Sequence, residues 1–134
     1  MIKSINLKSI YKSSSSIGMT ALLLLLLLAG HLAGQQSGIV YTSDHVPISY
    51  RVYGSGKPLL IINGGPGMNS DGFEGLAVSL SKDYRAIIYD QRGTGKSVMK
   101  KVDSTTINMA LMISDIESIR VQLGYEKWSI LGHS

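Results

Sequence analysis

The residues Gly132-His133-Ser134 follow directly on an apolar run, Trp128-Ser129-Ile130-Leu131. They match the first three positions of G-x-S-x-G. In that pattern a strained strand-to-helix turn exposes the serine hydroxyl, and the small flanking residues relieve crowding there. Ser134 is therefore a candidate nucleophile. Serine attack also needs a general base, a carboxylate that orients the base, and N–H donors for the oxyanion. Two further glycine-rich stretches follow apolar runs. Asn63-Gly64-Gly65-Pro66-Gly67 comes after Leu59-Leu60-Ile61-Ile62. Its glycines let the backbone approach a ligand closely and aim a backbone N–H at an oxyanion. Asp90-Gln91-Arg92-Gly93-Thr94-Gly95-Lys96-Ser97 comes after Ala86-Ile87-Ile88-Tyr89.

The third stretch invites a nucleotide reading, because Gly95-Lys96-Ser97 matches the end of a phosphate-binding loop. The match fails where that loop requires its first glycine: residue 90 is Asp, and a carboxylate there repels phosphate. The dinucleotide pattern G-x-G-x-x-G fails as well, at Val98. A tight turn held by Asp90, Gly93 and Gly95 is the better reading.

The elements that must position these loops alternate. Ile39–Tyr41 and Ile48–Tyr53 read as strands joined by a turn near Asp44-His45. The stretch from Pro58 to Asn63 and the run Ala86–Tyr89 read as strands buried on both faces. Phe73, Leu76, Ala77 and Leu80 recur at helical spacing between them. A longer helix follows, capped by Ser104 or Thr105 and ended by Gly124. Its expected apolar face is Met109, Met112, Ile113, Ile116, Ile119 and Leu123, with Asp115 off that face. Glu117 and Arg120 are spaced to pair. The order β-β-β-α-β-α-β predicts a mostly parallel sheet with helices on both faces. In such sheets the ligand site lies beyond the C-terminal strand ends, where all three loops would converge.

Taken together, Gly64-Gly65-Pro66-Gly67, Asp90 to Ser97, Asp115-Ile116-Glu117 with Arg120, Leu123-Gly124, and Gly132-His133-Ser134 resemble the proline iminopeptidase family of α/β-hydrolases. The resemblance covers residues 39–134. It implies the N-terminal half of an α/β-hydrolase fold, with an antiparallel first hairpin, strand order 1-2-4-3-5-6-7-8, and a break after the fifth strand. It implies a serine peptidase that removes an N-terminal residue, often proline, from peptides. Ser134 would be the nucleophile and the Gly65 backbone N–H one oxyanion donor. The second donor would be the residue after the serine. Asn63, Gly64, Pro66, Gly67, Asp90, Gly93, Gly95 and Gly132 would shape the loops. The family often has His where this chain has Asn63, which loosens the assignment to strict aminopeptidases. The orienting acid, the base and the cap domain of the family would all lie after residue 134. His31, His45 and His133 are poor substitutes for the base, with His45 expected on the far side of the topology. The 134-residue chain alone is therefore expected to be inactive, with an apolar fifth strand at the sheet edge that favours aggregation.

The remaining sequence narrows the classes. Lys3, Lys8 and Lys12 precede an apolar stretch with leucine at every position from Leu22 to Leu28, then Gly30-His31-Leu32-Ala33-Gly34. Residues 1–34 thus read as an export signal, and residues 35–134 as the partial hydrolase domain. The expected location is periplasmic or secreted, with membrane attachment only through an uncleaved leader. The net charge of +4 falls to +1 once the three leader lysines are set aside, so no basic face argues for nucleic acid. No cysteine is present, which excludes a thiol nucleophile and a Cys-ligated zinc site. No cofactor is implied; the expected partner is a peptide or a small amide or ester substrate. An esterase is the alternative within the same chemistry, and a non-catalytic binding module the alternative outside it. Serine at 134 disfavours an aspartate-nucleophile dehalogenase or epoxide hydrolase.

Overall fold

The computed structural model describes residues 34–65 and 67–133. The leader read over residues 1–34, except Gly34, lies outside the described residues, as do Pro66 and Ser134.

Five strands form one sheet: β1 (Gln36–Tyr41), β2 (Pro47–Tyr53), β3 (Lys57–Ile62), β4 (Tyr84–Tyr89) and β5 (Ser129–Gly132). Their spatial order is β1-β2-β4-β3-β5, the order that the resemblance implied. β1 pairs antiparallel with β2, and β2 antiparallel with β4. β3 runs parallel to both β4 and β5. The sheet is thus mixed, and its antiparallel part extends one pair beyond the hairpin. A 3-10 turn, Asp71–Phe73, leads into helix α1 (Glu74–Leu80), and α2 (Met109–Gln122) joins β4 to β5.

Strand side chains alternate between the two faces of a sheet, and the core divides accordingly. Leu60 of β3 and Ile87 and Tyr89 of β4 join Val40, Ile48 and Val52, and this face is covered by Ile116 and Ile119 of α2. Leu59 and Ile61 of β3 with Ala86 and Ile88 of β4 face the other way, onto Ala77 and Leu80 of α1 and onto Phe73. A one-residue slip of β3 against β4 would exchange the two sets. Burying each isoleucine contributes roughly 1.5–3 kcal/mol, so the register is strongly specified. β5 lies at the edge, with Ile130 57% and Leu131 36% exposed.

Helix α2 departs from its expected form. Its cap is Asn108, whose side chain accepts from the Leu111 N–H at 3.0 Å, instead of Ser104 or Thr105. Thr105 is engaged elsewhere, because its N–H donates to Asp103 Oδ1 at 2.9 Å in a separate turn. The buried face differs in part: Ile116, Ile119 and Leu123 of the expected face do pack on the core. Met109 and Ile113 are 71% and 54% exposed, whereas the buried residues of the helix are Asp115 and Ile119. The reason is an ion pair. Arg92, on the loop after β4, donates to Asp115 through Nε (2.7 Å) and Nη2 (2.6 Å). This contact turns the Asp115–Ile119 stripe inward and swings Met109 and Ile113 out. The expected surface pair does form, with Arg120 Nη2 2.8 Å from Glu117 Oε2.

The Arg92 side chain has no solvent exposure, and it also reaches Asp44 in the β1–β2 turn at 3.0 Å and the Thr106 carbonyl at 2.9 Å. Its bonds to Asp115 raise its pKa further, so the guanidinium stays charged. Breaking a buried pair from one side leaves an uncompensated charge and costs about 3–5 kcal/mol, whereas an apolar replacement of both partners is often near neutral. Asp115→Ala is therefore expected to destabilise the fold by that amount in urea unfolding. The Arg92→Met/Asp115→Leu double variant should lose less than Asp115→Ala alone.

Candidate functional site

The strand register brings the three glycine-rich loops together. β3 and β5 run parallel, with Ile62 paired to Gly132, and the His133 N–H donates to the Ile62 carbonyl at 3.1 Å. β4 runs parallel on the other side of β3, with Ile61 opposite Ile88. The loops starting at Asn63, Asp90 and His133 therefore leave the same end of the sheet, side by side. The β1–β2 turn is at this end too, since β2 runs antiparallel to β4 and Asp44 of the turn reaches Arg92. His45, with φ 62°, thus sits at the opposite edge from β5 but at the same end as the loops.

In the first loop Asn63 is buried, and Gly65 and Gly67 have φ of 71° and 96°. These are left-handed conformations that favour glycine, so the loop turns back sharply. Asn63 Nδ2 donates to the Met68 carbonyl at 3.0 Å and closes the turn across the two glycines. The Asn63 backbone carbonyl accepts from Gln91 Nε2 at 2.7 Å, which ties the first loop to the second. Gly65 is exposed at the tip.

The second loop is built around Asp90. Oδ1 accepts from the Ser70 N–H (2.9 Å) and hydroxyl (2.7 Å), and Oδ2 accepts from the Lys96 N–H at 2.8 Å. Gly95 lies at φ 49°, where a β-carbon would stand 2.3 Å from Asp90 Oδ2, so both backbone conformation and space demand glycine. The Gly93 N–H donates to the Ser97 carbonyl, and the Ser97 hydroxyl donates to the Asp90 carbonyl at 2.7 Å while accepting from the Ser49 N–H. Ser97 and the Lys96 N–H, which suggested phosphate binding in the sequence, are thus turned inward to hold Asp90 and β2.

The third loop is described as far as His133. Gly132 closes β5, and the His133 ring meets Phe73 edge-on, with centroids 5.6 Å apart. Ser134, the candidate nucleophile, lies outside the described residues.

Four residues that carry this arrangement were assigned no contact by the sequence reading: Ser70, Gln91, Arg92 and, as a buried group, Asp115. Ser70 is separated from Asp90 by twenty residues and has no pattern to mark it. Gln91 and Arg92 stood beside Asp90 in the motif, but only the fold shows what they reach.

Burial works against the Asp90 carboxylate, but the N–H groups of Lys96 and Ser70 and the Ser70 hydroxyl outweigh it and hold its pKa below 3.8. A carboxyl with a depressed folded-state pKa contributes stability that is present above its unfolded value and lost as pH falls through the folded one. Asp90→Asn puts a donor against one of these donors and is expected to cost about 1–3 kcal/mol at neutral pH. Urea unfolding from pH 6 down to pH 3 should show a shallower acid loss in the variant than in the parent.

A family model described as the alpha/beta hydrolase fold matches residues 57–134. The chain is 33% identical over 103 residues to a proline iminopeptidase of Xylella fastidiosa (strain 9a5c), which is 74% of this chain and 32% of that protein. It is 37% identical over 81 residues to a proline iminopeptidase of Heyndrickxia coagulans, 60% of this chain and 27% of that protein. The chain thus spans about a third of the length of the curated relatives it matches. Among solved structures, a proline iminopeptidase-related protein from Thermus thermophilus matches with a TM-score of 0.67 at 27% identity, over 75% of this chain and 36% of that one. An epoxide hydrolase from an endophytic Streptomyces matches with a TM-score of 0.67 at 25% identity, over 75% of this chain and 30% of that one. With its strand order, its loop set and these likenesses in agreement, the chain belongs to the α/β-hydrolase fold family, and over the matched part it is similar to proline iminopeptidases.

Proposed function

We propose that the intact protein is a serine hydrolase that releases an N-terminal residue from peptides through an acyl-enzyme, with Ser134 as nucleophile. The observation that carries this reading is the pairing of Ile62 with Gly132 and the bond from the His133 N–H to the Ile62 carbonyl. It places the turn that contains Gly65 immediately beside the strand end that leads into Ser134. A serine attacking a carbonyl there needs a donor within reach of the developing oxyanion, and a backbone N–H on a rigid turn supplies one at no cost of reorganisation. On this reading the Gly65 N–H is that donor, and the bonds from Asn63 to Met68 and from Gln91 to Asn63 keep it aimed.

The chemistry proceeds in two stages. The Ser134 hydroxyl loses its proton to a general base as its oxygen attacks, the oxyanion is held by backbone donors, and the leaving amine takes the proton back. Water then attacks the acyl-enzyme by the same route. The base and its orienting carboxylate are supplied, on this reading, by parts of the intact protein after Ser134. His45 belongs to the turn between β1 and β2 at the opposite sheet edge, and the His133 ring is packed on Phe73. The peptide substrate is read from the proline iminopeptidases that the chain resembles. Export through the N-terminal leader is part of the same proposal and rests on the leader's charged, apolar and small-residue order.

The test is active-site labelling of the intact protein with a fluorophosphonate. Labelling is expected to be stoichiometric, absent in Ser134→Ala, and absent in the 134-residue chain alone. Labelling that persists in Ser134→Ala would reject the nucleophile. Turnover of a prolyl amide is the expected activity, and turnover of a simple acyl ester with the amide untouched would reject the peptidase reading in favour of an esterase.

A further inference from the structure

The first glycine loop leaves β3 at Asn63 and runs to Ser70, where the 3-10 turn begins. Gln91 ties its entry through the Asn63 carbonyl, and Asn63 closes it on the Met68 carbonyl. Neither bond reaches Asn69 or Ser70. The closed loop is then a unit that can swing about Asn63 unless its exit is held as well. Gly65, exposed at the tip, would travel furthest in such a swing.

Ser70 stands at that exit and is buried. It occupies the N-cap position of the turn Asp71–Phe73. Serine before a helical turn commonly accepts an N–H of that turn, but among the described residues the Ser70 side chain makes no such bond. Its hydroxyl instead donates to Asp90 Oδ1 at 2.7 Å and accepts from Arg51 Nη2 at 2.9 Å. The Ser70 N–H donates to the same Asp90 oxygen at 2.9 Å. A local cap is thus given up for contacts with the end of β4 and with β2.

Arg51 lies on β2, paired with Ile88 of β4. Its side chain is 15% exposed and spans the segment after the loop. Nη2 also reaches Asp71 Oδ1 at 2.7 Å, and Nη1 reaches Glu74 Oε2 at 3.3 Å. Tyr53 of the same strand donates to the other Glu74 oxygen at 3.0 Å. The second loop packs on the remaining side, since a β-carbon on Gly95 would stand 3.0 Å from the Asn69 β-carbon. The exit of the first loop is therefore gripped from β2, from the end of β4 and from the second loop.

We propose that Ser70 is a positioning residue for the reaction and that Arg51 acts through it: together they fix the exit of the Gly65 turn, so that its backbone N–H keeps its aim at the oxyanion. The inference rests on the reading of Gly65 as the oxyanion donor and adds the groups that hold it in place. Such a donor serves the transition state more than the bound substrate, because the full negative charge develops only there. A loop without its exit anchor therefore loses kcat and keeps substrate binding. Removing an oxyanion donor outright costs about 100-fold to 1,000-fold in kcat, and a donor that remains but is misaimed forfeits part of that.

The test measures kcat and KM of the intact enzyme on whichever of the prolyl amide and the acyl ester it turns over, together with the rate of fluorophosphonate labelling. Ser70→Ala is expected to lower kcat about tenfold or more, with KM within about twofold, and to slow labelling without lowering its final stoichiometry. Ser70→Thr keeps the hydroxyl and should recover most of the kcat. Arg51→Met releases the grip from β2 and leaves the bonds from Ser70 to Asp90. It should give a smaller fall in the same direction, and it keeps the test open if Ser70→Ala does not fold. Ile119→Val, in the core cluster on the other face of the sheet, should leave kcat at the parental level. Parental kcat in Ser70→Ala, or in Arg51→Met should the first not fold, would overturn the positioning role. So would a rise in KM alone, a Ser70→Thr enzyme no faster than Ser70→Ala, or an equal fall in Ile119→Val. Absence of labelling in the parent protein would instead overturn the reading of Ser134, so the two failures are distinct.

Discussion

Burying the Arg92 guanidinium is the constraint that most of the structure answers to. The group has five N–H donors in a rigid plane and cannot shed its charge. Taken out of water, each donor must find an acceptor or cost about 1–3 kcal/mol or more. The acceptors come from three parts of the chain: Asp115 on α2, Asp44 on the β1–β2 turn, and the Thr106 carbonyl in the segment before α2. None of these can move without leaving a buried donor unpaired. α2 is oriented about its own axis by Asp115, the hairpin turn is tied to the loop after β4 by Asp44, and the segment before α2 is fixed through Thr106. The hydrophobic core supplies the bulk of the driving force. It is indifferent to rotations of α2 that exchange one apolar residue for another, and the ion pair removes that freedom.

Arg92 follows Asp90 and Gln91 directly, and the three consecutive side chains reach in three directions. Asp90 gathers the N–H groups of Ser70 and Lys96. Gln91 holds the Asn63 carbonyl. Arg92 holds the helix and the hairpin. A tripeptide at the end of a buried central strand therefore fixes both the first glycine loop and the support beneath it. This division suits a site whose work falls to backbone N–H groups. Such donors have no rotamers to adjust, and their aim is only as good as the tethers of the loop that carries them.

Much of the framework was legible because it follows from simple periodicities. The runs Leu59–Ile62 and Ala86–Tyr89 are uninterrupted and apolar, which suits strands covered on both faces, and both lie in the core. The alternation of these strands with helical patterns sufficed for the topology. What was not legible depends on long-range pairing. Asp115 reads as a polar residue on the solvent side of α2 until Arg92 is placed 2.6 Å away. Met109 and Ile113 read as core until that same pair rotates the helix. The cap moved from Ser104 or Thr105 to Asn108 because several good cap residues stand close together, and local sequence does not rank them once Asp103 has taken Thr105. The short Gly95-Lys96-Ser97 match misled in the opposite sense. Glycine was needed there for room beside a carboxylate, a requirement as strict as that of a phosphate loop but of opposite charge.

Asn63 shows how the loop tolerates a departure from the pattern it resembles. Among the described residues one side-chain bond is made there, from Nδ2 to the Met68 carbonyl. Turning the amide over would set Oδ1 against the Met68 carbonyl, so the orientation is fixed by this bond. The consequence is that Oδ1 faces inward, buried and without a partner among the described residues. Asparagine at this position thus keeps the tether of the loop. The departure is tolerable because Gln91 independently secures the Asn63 backbone carbonyl, and because the Gly65 turn depends on the position of the backbone rather than on the identity of the side chain behind it.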